Sequence, residues 1–317
     1  IISTLKDKGV KVSKYDVKEV KTNPYPPFTT STLQQAASAC LGFSPDKTMK
    51  VAQNLYQSSH ITYMRTDSMN IVPDFVDKIR NSIKLNYDKD YLPKTANFYK
   101  SKSKNKQEAH EAIRPTEISQ TQVTDLGQDE NKLYDIIYRR TVASQITPAL
   151  FERRSAEFSC DKYVLSANGS KRLFDGFQKV WVYSSNTDSY LVDLKVGDQL
   201  DCIDAKTEKK ETQPLKRYTE SSFIKELENR GIGRPATFAS IPKTLKDRKY
   251  VTMIKGKALQ VTNLGLRVVD FMKDVGFCFV DLNFTSKMED DLDEVANAQK
   301  TKIDVLQNFW QTLKEDI

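Results

Sequence analysis

Apolar and polar residues alternate through the first stretch of the chain. Val10, Val12, Tyr15, Val17 and Val20 mark the beat, and this pattern predicts a strand-like segment over 1–22. Pro24, Pro26 and Pro27 end it. The spacing then changes to that of helices. One is predicted over Thr30–Leu41, with Ser or Thr as its cap and Gly42 at its exit. Another starts at Ser44 with Pro45 in its first turn and carries Met49, Ala52, Leu55 and Tyr56 on one face. Further helices are predicted over 73–85 and from about 129 to 145, with a lysine-studded loop at 100–116 between them. Beyond 151, AEFSC, YVLSA, KVWVYS and YLVDL read as short strands. The turn signals between them are Asn168-Gly169, Asp175-Gly176 and Gly197-Asp198, so the region is read as mostly antiparallel sheet. From Glu220 the pattern is helical again, interrupted by GIGRPATF (231–238) and by a hairpin, KYVTMIKGKALQVT (249–262). The fold class expected is therefore α+β and multidomain. Pairing of the N-terminal segment with the later strands would make 23–148 an insertion into a β domain.

Composition narrows the classes. A chain of 317 residues has the length of about two domains. With 38% hydrophobic and 29% charged residues and a mean hydropathy of −0.57, it is neither disordered nor fibrous. No apolar run is long enough for a transmembrane helix, so no membrane partner is expected. The 49 Lys and Arg exceed the 42 Asp and Glu to give a net charge of +7, which favours a polyanionic partner. Cys40, Cys160, Cys202 and Cys278 are scattered, against a zinc ribbon or a disulfide framework, and His60 and His110 are too few for a histidine-rich metal site. Any divalent ion would need carboxylates. Ile1 stands where a whole chain would carry Met, and nothing resembles a secretory leader, so an internal piece of a larger cytoplasmic protein is expected.

Three constellations could carry chemistry. In ITYMRTDS (61–68), Tyr63 lies two residues before Arg65, so an extended backbone turns both side chains to one face. A cation beside a phenol favours the phenolate and can steady an attacked phosphate. The plain alternative is one buried tyrosine and one surface arginine, and Thr62, Thr66, Asp67 and Ser68 are equally ambiguous. In EAHEAIRPT (108–116), His110 and Arg114 are one helical turn apart and could both meet a phosphate. Arg114 could equally bind a carboxylate, or simply end the helix before Pro115. Lys100, Lys102, Lys104 and Lys106 precede them, either as a solvated run or as backbone contacts for nucleic acid. The third constellation, 218–251, reads as helix, glycine-punctuated turn and helix leading into a hairpin, an order compatible with a winged helix-turn-helix. Arg230, Arg234, Lys243, Lys246, Arg248 and Lys249 make it basic. Gly231, Gly233 and Pro235 could let backbone amides face an anion, unless this is only a surface helical hairpin. MEDDLDEVA (288–296) could gather a metal, but a solvated or charge-pairing helix face is expected. No P-loop, GxGxxG, Ser-His-Asp or zinc spacing occurs.

PPFTTSTLQQAA (26–37), ITYMRTDS, EAHEAIRPT, YTESSFIKELENRGIGRPATFASI (218–241) and NFTSKMEDDLDEVA (283–296) together resemble bacterial type IA DNA topoisomerases, in the family's order and over nearly the whole chain. The resemblance implies an ATP-independent isomerase that relaxes negatively supercoiled DNA. Tyr63 would attack a phosphodiester of single-stranded DNA and leave a 5′-phosphotyrosine; a second strand would pass through the gap before it is resealed. It implies that Arg65 stabilises the phosphate, that His110 contacts it, and that Arg114 supports the site. Thr62, Thr66 and Asp67 match the motif around the nucleophile, and Arg234, Thr237 and Arg248 match positions that bind DNA. In family terms, 1–22 with 149–217 would be a β-rich arch, 23–148 a helical domain carrying Tyr63, and 218–317 part of a helical, winged-helix-like base. Two departures stand out. Nothing matches the family's Toprim domain, which holds Mg²⁺ and the glutamate acid or base, and no zinc-ribbon cysteines follow. Ala236 also stands where many relatives have serine. Mg²⁺ is thus expected in the absent Toprim domain and no metal in this chain, whose partners would be DNA and the absent domains. The chain alone is expected not to relax DNA. A non-catalytic single-strand binding module is the competing class, and within the enzymes a decatenating relative or the topoisomerase half of reverse gyrase stays open.

Overall fold

A computed structural model of the protein describes residues 1–99, 110–184 and 188–315. The chain runs through α1 (Ile2–Lys8), β1 (Val10–Thr22), α2 (Thr30–Leu41), α3 (Pro45–Gln57), α4 (Pro73–Asn86) and α5 (Gln128–Ser144). Then come β2 (Ala149–Cys160), β3 (Tyr163–Phe174), β4 (Gln199–Leu200), α6 (Glu220–Asn229) and α7 (Ser240–Asp247). The C-terminal part holds β5 (Val251–Ile254), β6 (Ala258–Val261), α8 (Asn263–Val275), α9 (Leu282–Ala296) and α10 (Lys302–Glu315). Two compact units result. The first is Ile1–Tyr25, Arg80–Asn97 and Val142–Leu215; the second is Pro26–Ile79, Phe98–Thr141 and Lys216–Ile317.

The first unit is built on an antiparallel sheet of order β3-β2-β1-β4. β1 finds its partner far along the chain, pairing with β2 from Lys11↔Ser159 to Thr22↔Ala149. One face buries Val12, Ala156, Phe158 and Leu194, with Tyr15 and Leu165 packed against them. Four local expectations are corrected here. The strand starts only at Val10, because Ile2–Lys8 coils into a helix that buries Leu5. Gly9 turns the corner at φ 63°, where a Cβ would stand 2.5 Å from the Leu200 carbonyl oxygen. Asn168-Gly169 is not a turn: both residues sit inside β3, opposite Ser155 and Arg154. The glycine is needed because Leu191 crosses it so closely that a Cβ would lie 2.6 Å from the Leu191 Cβ. The hairpin instead turns at Asp161-Lys162, with Asp161 at φ 54°. KVWVYS and YLVDL are not strands. The first leaves a 3-10 turn over Gly176–Lys179 and buries Val180 and Trp181 after the buried Phe177 of that turn, and the second is irregular chain with Leu194 buried.

In the second unit the helix boundaries follow their caps. Thr29 caps α2 in a capping box with Thr32, and Gly42 ends that helix in the left-handed conformation. Ser44 caps α3 ahead of Pro45, and Thr219 caps α6 in a second capping box, with Ser222. Leu33, Ala37, Val51, Ala52 and Leu55 are buried, and a smaller core gathers Ile224, Leu227 and Phe238. The hairpin predicted at 249–262 is present, with β5 paired to β6 from Val251↔Val261 to Ile254↔Ala258. α2 and α6 are tied by the Ser31 hydroxyl, which donates to Glu228 Oε1 at 2.6 Å.

Candidate active site

Residues 61–68 follow α3 without joining a sheet, and their side chains alternate. Ile61, Met64, Thr66 and Ser68 are buried, whereas Tyr63 and Arg65 face outward together. Both side chains are thus exposed, Tyr63 by 37%, but the backbone bends at Met64 and Arg65 instead of running extended as predicted. Threonines on both sides clamp the backbone. Thr62 Oγ1 donates to the Ala112 carbonyl at 2.7 Å and accepts from the Arg114 amide at 3.0 Å. Thr30, in the first turn of α2, donates from Oγ1 to the Met64 carbonyl at 2.8 Å and accepts from the Thr66 amide at 2.8 Å, while its own amide donates to the Thr66 carbonyl. Thr66 Oγ1 accepts from the Ser68 amide at 3.0 Å, and Asp67 is half-buried beside it. Thr62 and Thr66 thus bond to this chain's own backbone, which holds Tyr63 and Arg65 on a rigid track.

The Tyr63 ring is flanked on both sides. Tyr56 of α3 meets it edge-on at a centroid distance of 5.3 Å, and His110 lies 5.6 Å away. His110 is half-buried, and its Nδ1 is buried without a hydrogen-bond partner among the described residues. Arg65 is exposed and makes no ion pair among the described residues. Three residues before Tyr63, His60 is buried with Nε2 3.0 Å from Asp125, a contact that draws the Asp125 carboxyl below the usual range.

His110 and Arg114 do not share a helical face: 110–116 is non-helical, in keeping with the loop read over 100–116, and the helical turn read for the pair is corrected. Residues 110–116 are extended because their amides bond outward to neighbouring chain. Ala112 N–H donates to Asn70, Ile113 N–H to Phe28 and Thr116 N–H to His60, and the residue before Pro115 is disfavoured in the α region. Arg114 is buried. Its guanidinium grips Glu111 in a two-pronged contact (2.6 and 3.1 Å), donates to the Pro115 carbonyl at 2.9 Å and lies 3.8 Å over the Phe75 ring. Of the two partners considered for it, the carboxylate is the one it meets. Lys100, Lys102, Lys104 and Lys106 lie outside the described residues.

The basic region after α6 is largely paired with acids. Arg234 reaches Asp293 at 2.7 Å and Glu289 at 3.6 Å, Arg230 meets Glu226 at 2.6 Å, and Lys246 bonds Glu220. Thr237 Oγ1 accepts from the Arg234 amide at 2.9 Å. Arg248 ends α7 and is exposed. Two of the amides in the turn expected to face an anion are used within the chain. Gly231 N–H and Ile232 N–H donate to Glu228 and Leu227, closing the end of α6. The acidic run of α9 pairs with Arg234 and with Lys300, which meets Asp291 and Glu294 at 2.6 Å each. Among the described residues no group of three His, Cys, Asp or Glu side chains converges on one point.

Sequence reasoning did not single out Thr30 or Tyr56 for the site. The TTST run signals a cap, but that one of its hydroxyls reaches 36 residues along the chain is a tertiary fact. Tyr56 sits on the predicted helix face and reads as core, yet it is exposed against Tyr63.

Comparison with known proteins agrees on one family. A family profile described as DNA topoisomerase matches residues 1–307. The chain is 40% identical to DNA topoisomerase 1 of Campylobacter jejuni, over 98% of this chain and 46% of that protein. It is 41% identical to that of Helicobacter pylori, over 95% of this chain and 42% of the other. The solved structure of full-length topoisomerase I from Thermotoga maritima is similar with a TM-score of 0.88 and 35% identity, over 99% of this chain and 54% of that one. The chain thus spans less than half the length of these curated relatives.

Proposed function

The chain belongs to the DNA topoisomerase family, and from that premise we propose that it is the strand-cleaving part of a type IA enzyme, with Tyr63 as the nucleophile. In this reading the Tyr63 phenolic oxygen forms a bond to the phosphorus of a single-stranded DNA phosphodiester. The bond from phosphorus to the 3′-oxygen breaks, leaving a 5′-phosphotyrosine and a 3′-hydroxyl. The phenolic proton leaves to a base, and the 3′-oxygen receives one from an acid. Both groups are assigned to parts of the full-length protein outside this chain, together with the Mg²⁺ the family uses. Arg65 neutralises charge on the attacked phosphate, an electrostatic role suited to phosphoryl transfer. His110 contacts that phosphate, while Thr62, Thr66, Asp67 and Arg114 hold the frame. Arg234, Thr237 and Arg248 contact DNA backbone. Strand passage and resealing then relax negative supercoils without ATP, in the cytoplasm. By role, the chain divides into the arch (1–22 and 149–217), the helical domain with the nucleophile (23–148) and the base (218–317).

The observation that carries this reading is the exposure of both Tyr63 and Arg65 on a backbone clamped from both sides by Thr62 and Thr30. A buried structural tyrosine would need neither. The test is to incubate a single-stranded oligonucleotide and Mg²⁺ with either the 317-residue chain or the full-length protein, followed by a denaturing gel and peptide mapping. An adduct on Tyr63 is expected from the full-length protein only. It should vanish in Tyr63→Phe while DNA binding changes by less than about twofold, since only one hydroxyl is removed. No adduct from the full-length wild type would leave a single-strand binding module.

A further inference from the structure

A cavity of about 1010 Å³ opens on the sheet of the first unit and shares no residue with the Tyr63 site. Lys18 of β1 and Arg153 of β2 face each other directly in its wall. Like charges paired across strands repel, and no ion pair among the described residues neutralises either one. Asp16, the acid lining the same cavity, lies 3.5 Å from Lys14 instead. Gln178 also lines the cavity. It is only 8% exposed, yet its carbonyl Oε1 has no hydrogen-bond partner among the described residues. Tyr25 and Tyr183 add exposed aromatic faces, each braced edge-on by a buried ring: Phe177 at 5.7 Å and Trp181 at 5.1 Å.

These features ask for three things in one ligand: an anionic group for the cationic pair, a hydrogen-bond donor for the buried carbonyl, and a flat ring for the tyrosines. A bare anion answers only the first, and an aliphatic acid leaves the rings unused. A nucleotide answers all three, through its phosphate, the ring or exocyclic N–H of its base, and the face of that base. We propose that this cavity binds a nucleotide unit, with the phosphate on Lys18 and Arg153, the base against Tyr25 and Tyr183, and a base N–H donated to Gln178. The unit can come from a single DNA strand or from a free nucleotide. The proposal does not rest on the chemistry assigned to Tyr63.

The test is photo-cross-linking of a 5′-phosphorylated 4-thiothymidine trinucleotide to the 317-residue chain, with peptide mapping. The expected result is an adduct on the peptides holding Tyr25 or Tyr183. It should fall at least tenfold in K18Q/R153Q and persist in Tyr63→Phe. Lys18 and Arg153 are exposed, so the double variant should keep the wild-type circular dichroism and melting temperature. Gln178→Leu is the second variant, expected to weaken the nucleotide but not inorganic phosphate. Displacement by deoxyadenosine monophosphate would identify a free nucleotide as sufficient, and displacement by oligonucleotides alone would identify a strand; both uphold the proposal. Cross-links confined to 61–68 and 110–116, an undiminished yield in K18Q/R153Q, or equal displacement by inorganic phosphate would overturn it. The first of these would leave the Tyr63 reading intact.

Discussion

Thr62 is a small residue with a large share in the site. Its single hydroxyl serves the Ala112 carbonyl and the Arg114 amide, joining the segment that carries Tyr63 to the one that carries His110. Valine has nearly the same shape but neither donates nor accepts, so Thr62→Val leaves two backbone groups of a half-buried contact unanswered. The expected cost is about 1–3 kcal/mol, read as a drop in melting temperature. The yield of Tyr63 adduct by the full-length protein should fall with it, because the rings of Tyr63 and His110 would no longer be held in register. An unchanged melting temperature would mean that water replaces the hydroxyl. Arg114 makes a related point. Its guanidinium is engaged inside the chain by Glu111 and Pro115, which fits the bracing role proposed for it.

At the level of elements, one strand and one hydrogen bond carry predictions. β3 passes beneath Leu191 at Gly169, and a methyl group there would meet the Leu191 Cβ at 2.6 Å and its amide nitrogen at 2.8 Å. Gly169→Ala should therefore destabilise the first unit by about 1–3 kcal/mol, the usual range for overpacking, and urea denaturation followed by Trp181 fluorescence would measure it. A neutral result would show that the irregular chain around Leu191 yields freely. Tyr91 donates to Asp175 Oδ1 at 2.7 Å, and that bond pushes the phenol from 10.0 up to about 12. A raised phenol means that the protonated form is favoured in the folded state. The contribution is thus complete below about pH 10 and is lost as the pH rises toward about 12. The stability gap between wild type and Tyr91→Phe should be constant up to pH 9 and close above pH 10; a gap that persists at pH 12 would refute this.

For the molecule as a whole, the decisive fact is what the chain's residues can and cannot supply. The second unit presents Tyr63, Arg65 and His110, while Glu289, Asp291, Asp293 and Glu294 on α9 are engaged by Arg234 and Lys300. The chain also spans less than half the length of its curated relatives. We therefore expect the 317-residue chain to bind single-stranded DNA and yet fail to relax a supercoiled plasmid in Mg²⁺, as measured by agarose gel. Clear relaxation would mean that the acid, base and metal functions reside in residues given other roles here.

Local physics in the sequence by itself determined α2 and α3, the helical character beyond Glu220 and the hairpin at 249–262. Capping residues, 3.6-residue spacing and the two-residue repeat act within a few positions and need no distant partner. The five motifs in order also carried the family. Tertiary structure alone decided the rest. Asn168-Gly169 reads as a turn because local chemistry favours one, but β2 offers a continuous ladder and Leu191 leaves no room for a larger residue. His110 and Arg114 have helical spacing, yet the carbonyls of Phe28, Asn70 and His60 claim the amides of Ile113, Ala112 and Thr116 and keep 110–116 out of a helix. The roles of Thr30 and Tyr56 depend in the same way on which distant atoms the fold brings within hydrogen-bond or ring contact, and no local pattern encodes that proximity.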